Sequence, residues 1–171
     1  MRFDPGTARL TVEAAGEQLL AGPVAAEFGG ETYPQPSNWT VEETPGGMTV
    51  SYEDDAGTTV WLTGDDGGVG VRLAVESRGG EPRRLDDLSV LAADETGFGD
   101  DTTLYRFGYH SWPPTTTVPY DEQFPEVAED DVPMMRDMAA AETVSHGLTA
   151  LIEGDRAVTM GFLDHSDYIA R

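Results

Sequence analysis

The chain has 171 residues, enough for one domain that buries a hydrophobic core without disulfide or metal staples. It holds no cysteine, which excludes disulfides and thiolate metal sites. Its 32 acidic residues stand against 10 basic ones, all Arg, for a net charge of −22. Such a field repels phosphates and argues against nucleic acid and anionic membranes as partners.

The elements read as short strands separated by Gly, Pro and acidic turns. Ala8 to Ala14 alternates, with Leu10 and Val12 on one face. Gln18 to Ala25 is a second apolar stretch, interrupted by Gly22-Pro23. Trp39 to Glu43, Met48 to Asp54 and Thr58 to Thr63 follow as antiparallel strands, with turns at Gly46-Gly47 and Asp55-Ala56-Gly57. Val69, Val71, Leu73 and Val75 then alternate cleanly after turn material at Gly64 to Gly68, and Arg84 to Ala92 continues the pattern. Past a Gly-rich turn at Thr96 to Asp101 comes a strand from Thr103 to Tyr109.

Ser111 to Pro133 reads as irregular, because its five prolines disfavour both helix and ladder. Met134 to Thr143 is the one helix candidate. Leu148 to Glu153 and Ala157 to Leu163 form a hairpin about Gly154-Asp155. Neither an internal repeat nor a linker is visible. Many short strands at regular spacing predict an all-β fold: one large antiparallel β-sandwich (a supersandwich) over residues 1–171, with at most one short helix.

The acids are spread between apolar alternating runs, which is the pattern of a folded protein and not of an acidic tail. We read them as a surface suited to high salt, where a Debye length of about 3 Å near 1 M screens carboxylate repulsion. No run approaches the ~20 apolar residues of a membrane helix. Met1-Arg2-Phe3-Asp4 opens no signal core, so the expected location is cytoplasmic.

Little of this chemistry points to catalysis. His110, His146 and His165 are far apart in sequence, so no metal site is expected. The pairs Asp54-Asp55, Asp65-Asp66, Asp86-Asp87, Asp100-Asp101 and Asp130-Asp131 read as solvated turn acids. Neighbouring acids on a strand point to opposite faces, which does not suit a glycosidase carboxyl pair. The acids of Gly64 to Gly68 argue against a phosphate loop, and Asp164-His165-Ser166 lacks a nucleophile elbow. No cofactor is expected.

The unusual segment is Arg106-Phe107-Gly108-Tyr109-His110-Ser111-Trp112-Pro113-Pro114. Aromatic faces beside hydrogen-bond donors suit sugar rings, which present C–H patches between hydroxyls. The alternative is structural: Phe107 and Tyr109 alternate into solvent or core along a strand, and Trp112 plugs a sandwich edge.

Three features in the C-terminal half resemble the N-terminal β-sandwich domain of α-galactosidases of the melibiase type, glycoside hydrolase family 36, in an archaeal, halophile-like form. They are the Gly-Tyr-x-Ser-Trp turn at Gly108 to Trp112, the strand start at Ser145-His146-Gly147-Leu148, and Gly161-Phe162-Leu163. Leu19-Leu20-Ala21-Gly22-Pro23 fits less specifically. The resemblance implies a sandwich leading into a (β/α)8 barrel that carries both catalytic aspartates. The nucleophile of that family lies in a Lys-x-Asp motif, and this chain has no Lys, so no catalytic residue carries over.

What the resemblance implies for this chain is a non-catalytic domain, the N-terminal part of a longer retaining hydrolase, packed on a C-terminal barrel. It would border an α-galactoside site, with Trp112 at the edge and His110 and Tyr109 behind it. The alternatives are a stand-alone carbohydrate-binding sandwich, or a structural domain whose aromatic loop meets a protein partner or a second copy in a homo-oligomer.

Overall fold

The computed structural model describes residues 1–65, 68–76, 78, 83–106, 115–120 and 148–161. Among them every regular element is a strand, so the chain is all-β. The helix candidate Met134 to Thr143 lies outside the described residues. No helix among the described residues is long and apolar enough to cross a membrane. The chain divides into two compact units, Met1–Gly97 and Phe98–Arg171.

The first unit holds three antiparallel sheets. Sheet A runs β1 (Arg2–Asp4), β2 (Arg9–Ala14), β3 (Glu17–Pro23) and β11 (Glu95–Thr96), in that order. Sheet B places β4 (Ala25–Phe28) between β10 (Leu85–Ser89) and β5 (Glu31–Tyr33). Sheet C is the meander β6 (Trp39–Thr44), β7 (Gly47–Tyr52), β8 (Thr59–Asp65) and β9 (Gly68–Ala74).

One core joins the three sheets. Phe3 and Leu10 come from sheet A, and Ala26 from sheet B. Val50, Tyr52, Val60, Leu62 and Leu73 come from sheet C, and Val24 and Ala8 lie between elements. This is the packing that alternating strands require, each burying one face against the opposite layer. The sandwich expected from the pattern is therefore present in this unit. Strand β6 is exposed along its whole length at the edge of sheet C, where Glu42 and Glu43 discourage further pairing.

Local chemistry sets the turns. Ala15 and Gly16 both have positive φ, 53° and 83°, which gives the β2–β3 hairpin its two-residue turn. Gly154 does the same at φ 60° in the second unit, where the predicted Gly154-Asp155 hairpin forms. The turn expected at Gly46-Gly47 sits one residue earlier, because Gly47 pairs with Thr44 and Thr63 inside the ladder. The stretch Gln18 to Ala25 splits at Val24. Proline ends β3, the Val24 amide bonds to the Ala8 carbonyl at 2.9 Å, and the chain crosses into sheet B.

The reading of paired acids as solvated needs correcting at Asp54. That side chain is buried, and its carboxylate accepts the amides of Thr58 at 2.9 Å and Gln35 at 3.2 Å. It closes the β7–β8 turn and anchors the segment after β5. Its neighbour Asp55 accepts the Tyr33 hydroxyl at 2.7 Å. Asp86 lies within β10 and pairs with Arg84 at 2.8 Å.

The second unit contains sheet D, in the order β13 (Thr116–Pro119), β12 (Thr103–Arg106), β14 (Leu148–Glu153) and β15 (Arg156–Gly161). Strand β13 falls inside the stretch expected to be irregular. Three consecutive Thr, Thr and Val residues favour the pleat, and Pro119 stands at the strand end, where a missing amide is tolerated. Ala150 and Leu151 are both buried although adjacent residues face opposite ways, so both faces of β14 are covered.

Candidate functional site

Tyr109, His110 and Trp112 lie outside the described residues, but the strand ends that adjoin them in sequence do not. Strand β12 leaves the sheet at Arg106, which pairs with Thr116 at the start of β13 and with Thr149 near the start of β14. Leu148 pairs with Gly161, the last residue of β15. The strand ends next to all three motifs of the sequence therefore line up at one end of sheet D.

The opposite end of the sheet is a clamp. The amide of Gly99 donates to Glu153 Oε1 at 2.8 Å, Glu153 pairs with Arg156 at 3.7 Å, and the Arg156 guanidinium lies 5.0 Å from the Phe98 ring centroid.

In the first unit, a concave polar surface occupies the solvent face of sheet A. The ladder sets Arg2, Thr11, Ala21 and Glu95 in one row across the four strands. Long charged residues stand on the edge strands and small ones on the two central strands, so the row forms a groove with a volume near 440 Å³. Asp4 and Arg9 begin the next row.

Arg9 organises this surface. From β2 it reaches across β3, where it donates to Asp94 Oδ2 at 2.9 Å and to Glu95 Oε1 at 2.8 Å, with a further short bond to Asp94 Oδ1. Gln18 Nε2 donates to the other Glu95 oxygen at 3.3 Å. The hydrogen bond from Arg9, followed by its positive charge, holds the Asp94 carboxyl below its ordinary range. The same bond raises the Arg9 pKa. Asp4 is occupied locally, accepting the Gly6 amide and the Thr7 hydroxyl, both at 2.9 Å.

Two other clusters are structural. The Tyr33 ring is fully buried against Phe28, edge to face at 6.3 Å. Its hydroxyl lies 2.8 Å from Glu31, 2.7 Å from Asp55 and 2.9 Å from Arg83, which is the donor to it. Burial first, then the bond to Asp55, pushes the Tyr33 pKa up to about 12. On the solvent face of sheet C, Arg72 lies 4.9 Å over the Trp61 ring. It covers an aromatic face that would otherwise be open to a ligand.

Among the described residues no group of three His, Asp or Glu side chains converges as a metal site would require. Sequence reasoning missed the groove because Gln18 and Glu95 are 77 positions apart and only strand pairing joins them. The available signal was the scarcity of cations. In a chain with so few Arg, one that sits within an alternating strand is a candidate for a fixed, bidentate role. No family model, no curated protein and no solved structure matches the chain.

Proposed function

We propose that this chain is a non-catalytic β-sandwich domain of an α-galactosidase-like retaining glycoside hydrolase, bordering the sugar site of a partner barrel with Trp112 at its edge. The observation that supports this reading most is the register of sheet D. Two of the motifs that carry the family resemblance flank the β14–β15 hairpin, and the strand end next to the third, Arg106, is brought to the same end of the sheet by its pairing with Thr149. In this reading Trp112 stacks on a sugar ring, His110 and Tyr109 support it, and the chemistry belongs to the barrel.

The test is kinetic. In the complete hydrolase encoded by the gene, Trp112→Ala should raise KM for an aryl α-galactoside severalfold while leaving kcat within about twofold, the pattern of lost uniform binding. Unchanged kinetics would remove Trp112 from the site. A gene that encodes no barrel-length segment with a Lys-x-Asp strand would remove the parent hydrolase.

A second reading, a stand-alone carbohydrate-binding sandwich, is favoured by one observation, the polar groove on sheet A.

A further inference from the structure

We infer that the groove on the solvent face of sheet A is a binding site for a neutral polyhydroxylated ligand, of the size and chemistry of a sugar ring. The inference rests on this groove's own side chains and is independent of the loop that holds Trp112.

Size and shape come first. A volume near 440 Å³ lies within the range of about 300–1,000 Å³ typical of small-molecule clefts. Arg2 and Glu95 stand on the two edge strands, three strand spacings or about 14 Å apart at the backbone. That separation is too wide for a direct ion pair and suits an interposed ring. Thr11 and Ala21, both small and nearly buried, lie between them.

The unused hydrogen-bonding capacity identifies the ligand. A carboxylate offers about four lone-pair sites. Glu95 spends one on Arg9 and one on Gln18, which fix its plane and leave acceptor capacity on both oxygens. The Gln18 side chain keeps its carbonyl as an acceptor. Thr11 is largely buried, and its side chain lines the groove with a hydroxyl that can donate and accept. Arg2 adds donors at the far end and makes no ion pair among the described residues. Fixed acceptors, a hydroxyl that can do both and guanidinium donors match a ligand whose own groups each donate and accept.

Charge excludes the alternatives. An anion would meet Glu95, Asp4 and the field of a chain carrying −22, while Arg9 is already spent on Asp94 and Glu95. A metal ion would need several free carboxylates. Here Asp4 is bonded to Gly6 and Thr7, and Glu95 to Arg9 and Gln18. An apolar ligand would leave the rim charges desolvated and unpaired.

The experiment is an amide chemical-shift titration of the 171-residue chain with methyl α-galactoside and methyl α-glucoside, and with sodium acetate as an anionic control. Saturable shifts should centre on Arg2, Thr11, Gln18 and Glu95, with a Kd on the order of millimolar. Thr11→Val, which keeps the shape, and Arg2→Ala, at an exposed position, should each weaken binding at least about fivefold in chains whose spectra stay folded. Absence of saturable shifts with both glycosides overturns the inference. So do shifts confined to other residues, or a response to acetate equal to that of the sugars. Failure of the Trp112 kinetics leaves this titration untouched, and failure of the titration leaves those kinetics untouched, so the two proposals fall separately.

Discussion

Replacing Tyr33 with Phe isolates one hydroxyl in a defined setting. The ring keeps its burial and its edge-to-face contact with Phe28, so no cavity opens beyond one oxygen. The change removes a hydrogen bond from Arg83 and one to a carboxylate, since a single proton serves Glu31 or Asp55 at any moment. Bonds to charged groups are worth about 1.5–3 kcal/mol when well buried. These carboxylates are 56% and 67% exposed, so solvent screening cuts the figure toward about 1 kcal/mol. Arg83 is not orphaned, because Glu31 at 3.0 Å and the Phe28 carbonyl at 2.9 Å remain.

The pH dependence adds a signature that size alone would not. Tyr33 has its folded pKa raised to about 12, above the ordinary value of 10. Its contribution is therefore complete below about pH 10 and is lost as pH climbs through 12. Urea denaturation at fixed salt should show wild type about 1 kcal/mol more stable at pH 7, with the gap narrowing between pH 10 and 12. A variant as stable as wild type at pH 7, or a gap that stays constant to pH 12, would refute the reasoning.

Two further outcomes follow from backbone contact and from charge. In Gly22→Ala the new Cβ would fall on the Ala92 carbonyl oxygen and within 2.8 Å of the Ala93 Cα, backbone that is held to β3 by bonds at 2.9 and 3.0 Å. Chemical denaturation should show a loss of about 2–3 kcal/mol, the upper range for overpacking, and sugar shifts in the groove should weaken with it. A loss under about 0.5 kcal/mol would mean that the 92–94 segment is not fixed as described. Separately, raising salt from about 0.1 to 1 M shortens the Debye length from about 10 to 3 Å. That relieves repulsion among 32 acids more than it weakens the exposed Arg9, Arg83 and Arg84 pairs, so the thermal midpoint should rise; a flat or falling midpoint would count against a salt-suited surface.

How far the sequence was legible depended on whether its signals were local. Strands such as β2, β7 and β8 carry their own alternation, β14 is a short apolar run, and the two-residue turn at Gly154-Asp155 carries its own backbone requirement, so each could be placed from neighbouring residues alone. The short strands β1, β5, β11 and β13 could not. Two to four residues hold no period, and β11 is a strand only because Glu95 and Thr96 meet Ala21 and Leu20. Asp54 shows the same limit in chemistry. Next to Asp55 in a turn it looks solvated, and only the fold brings the Gln35 amide to it and buries it.

The groove is an extreme case of this limit. Arg2, Thr11, Gln18 and Glu95 come from four strands, and none of them sits in a motif. The row of Arg2, Thr11, Ala21 and Glu95, which Gln18 meets only through its bond to Glu95, exists because sheet A accepts β11 beside β3, which depends in turn on Gly22 leaving room for the Ala92 backbone. A glycine chosen for close approach thus fixes the far wall of a polar site 73 positions downstream of it.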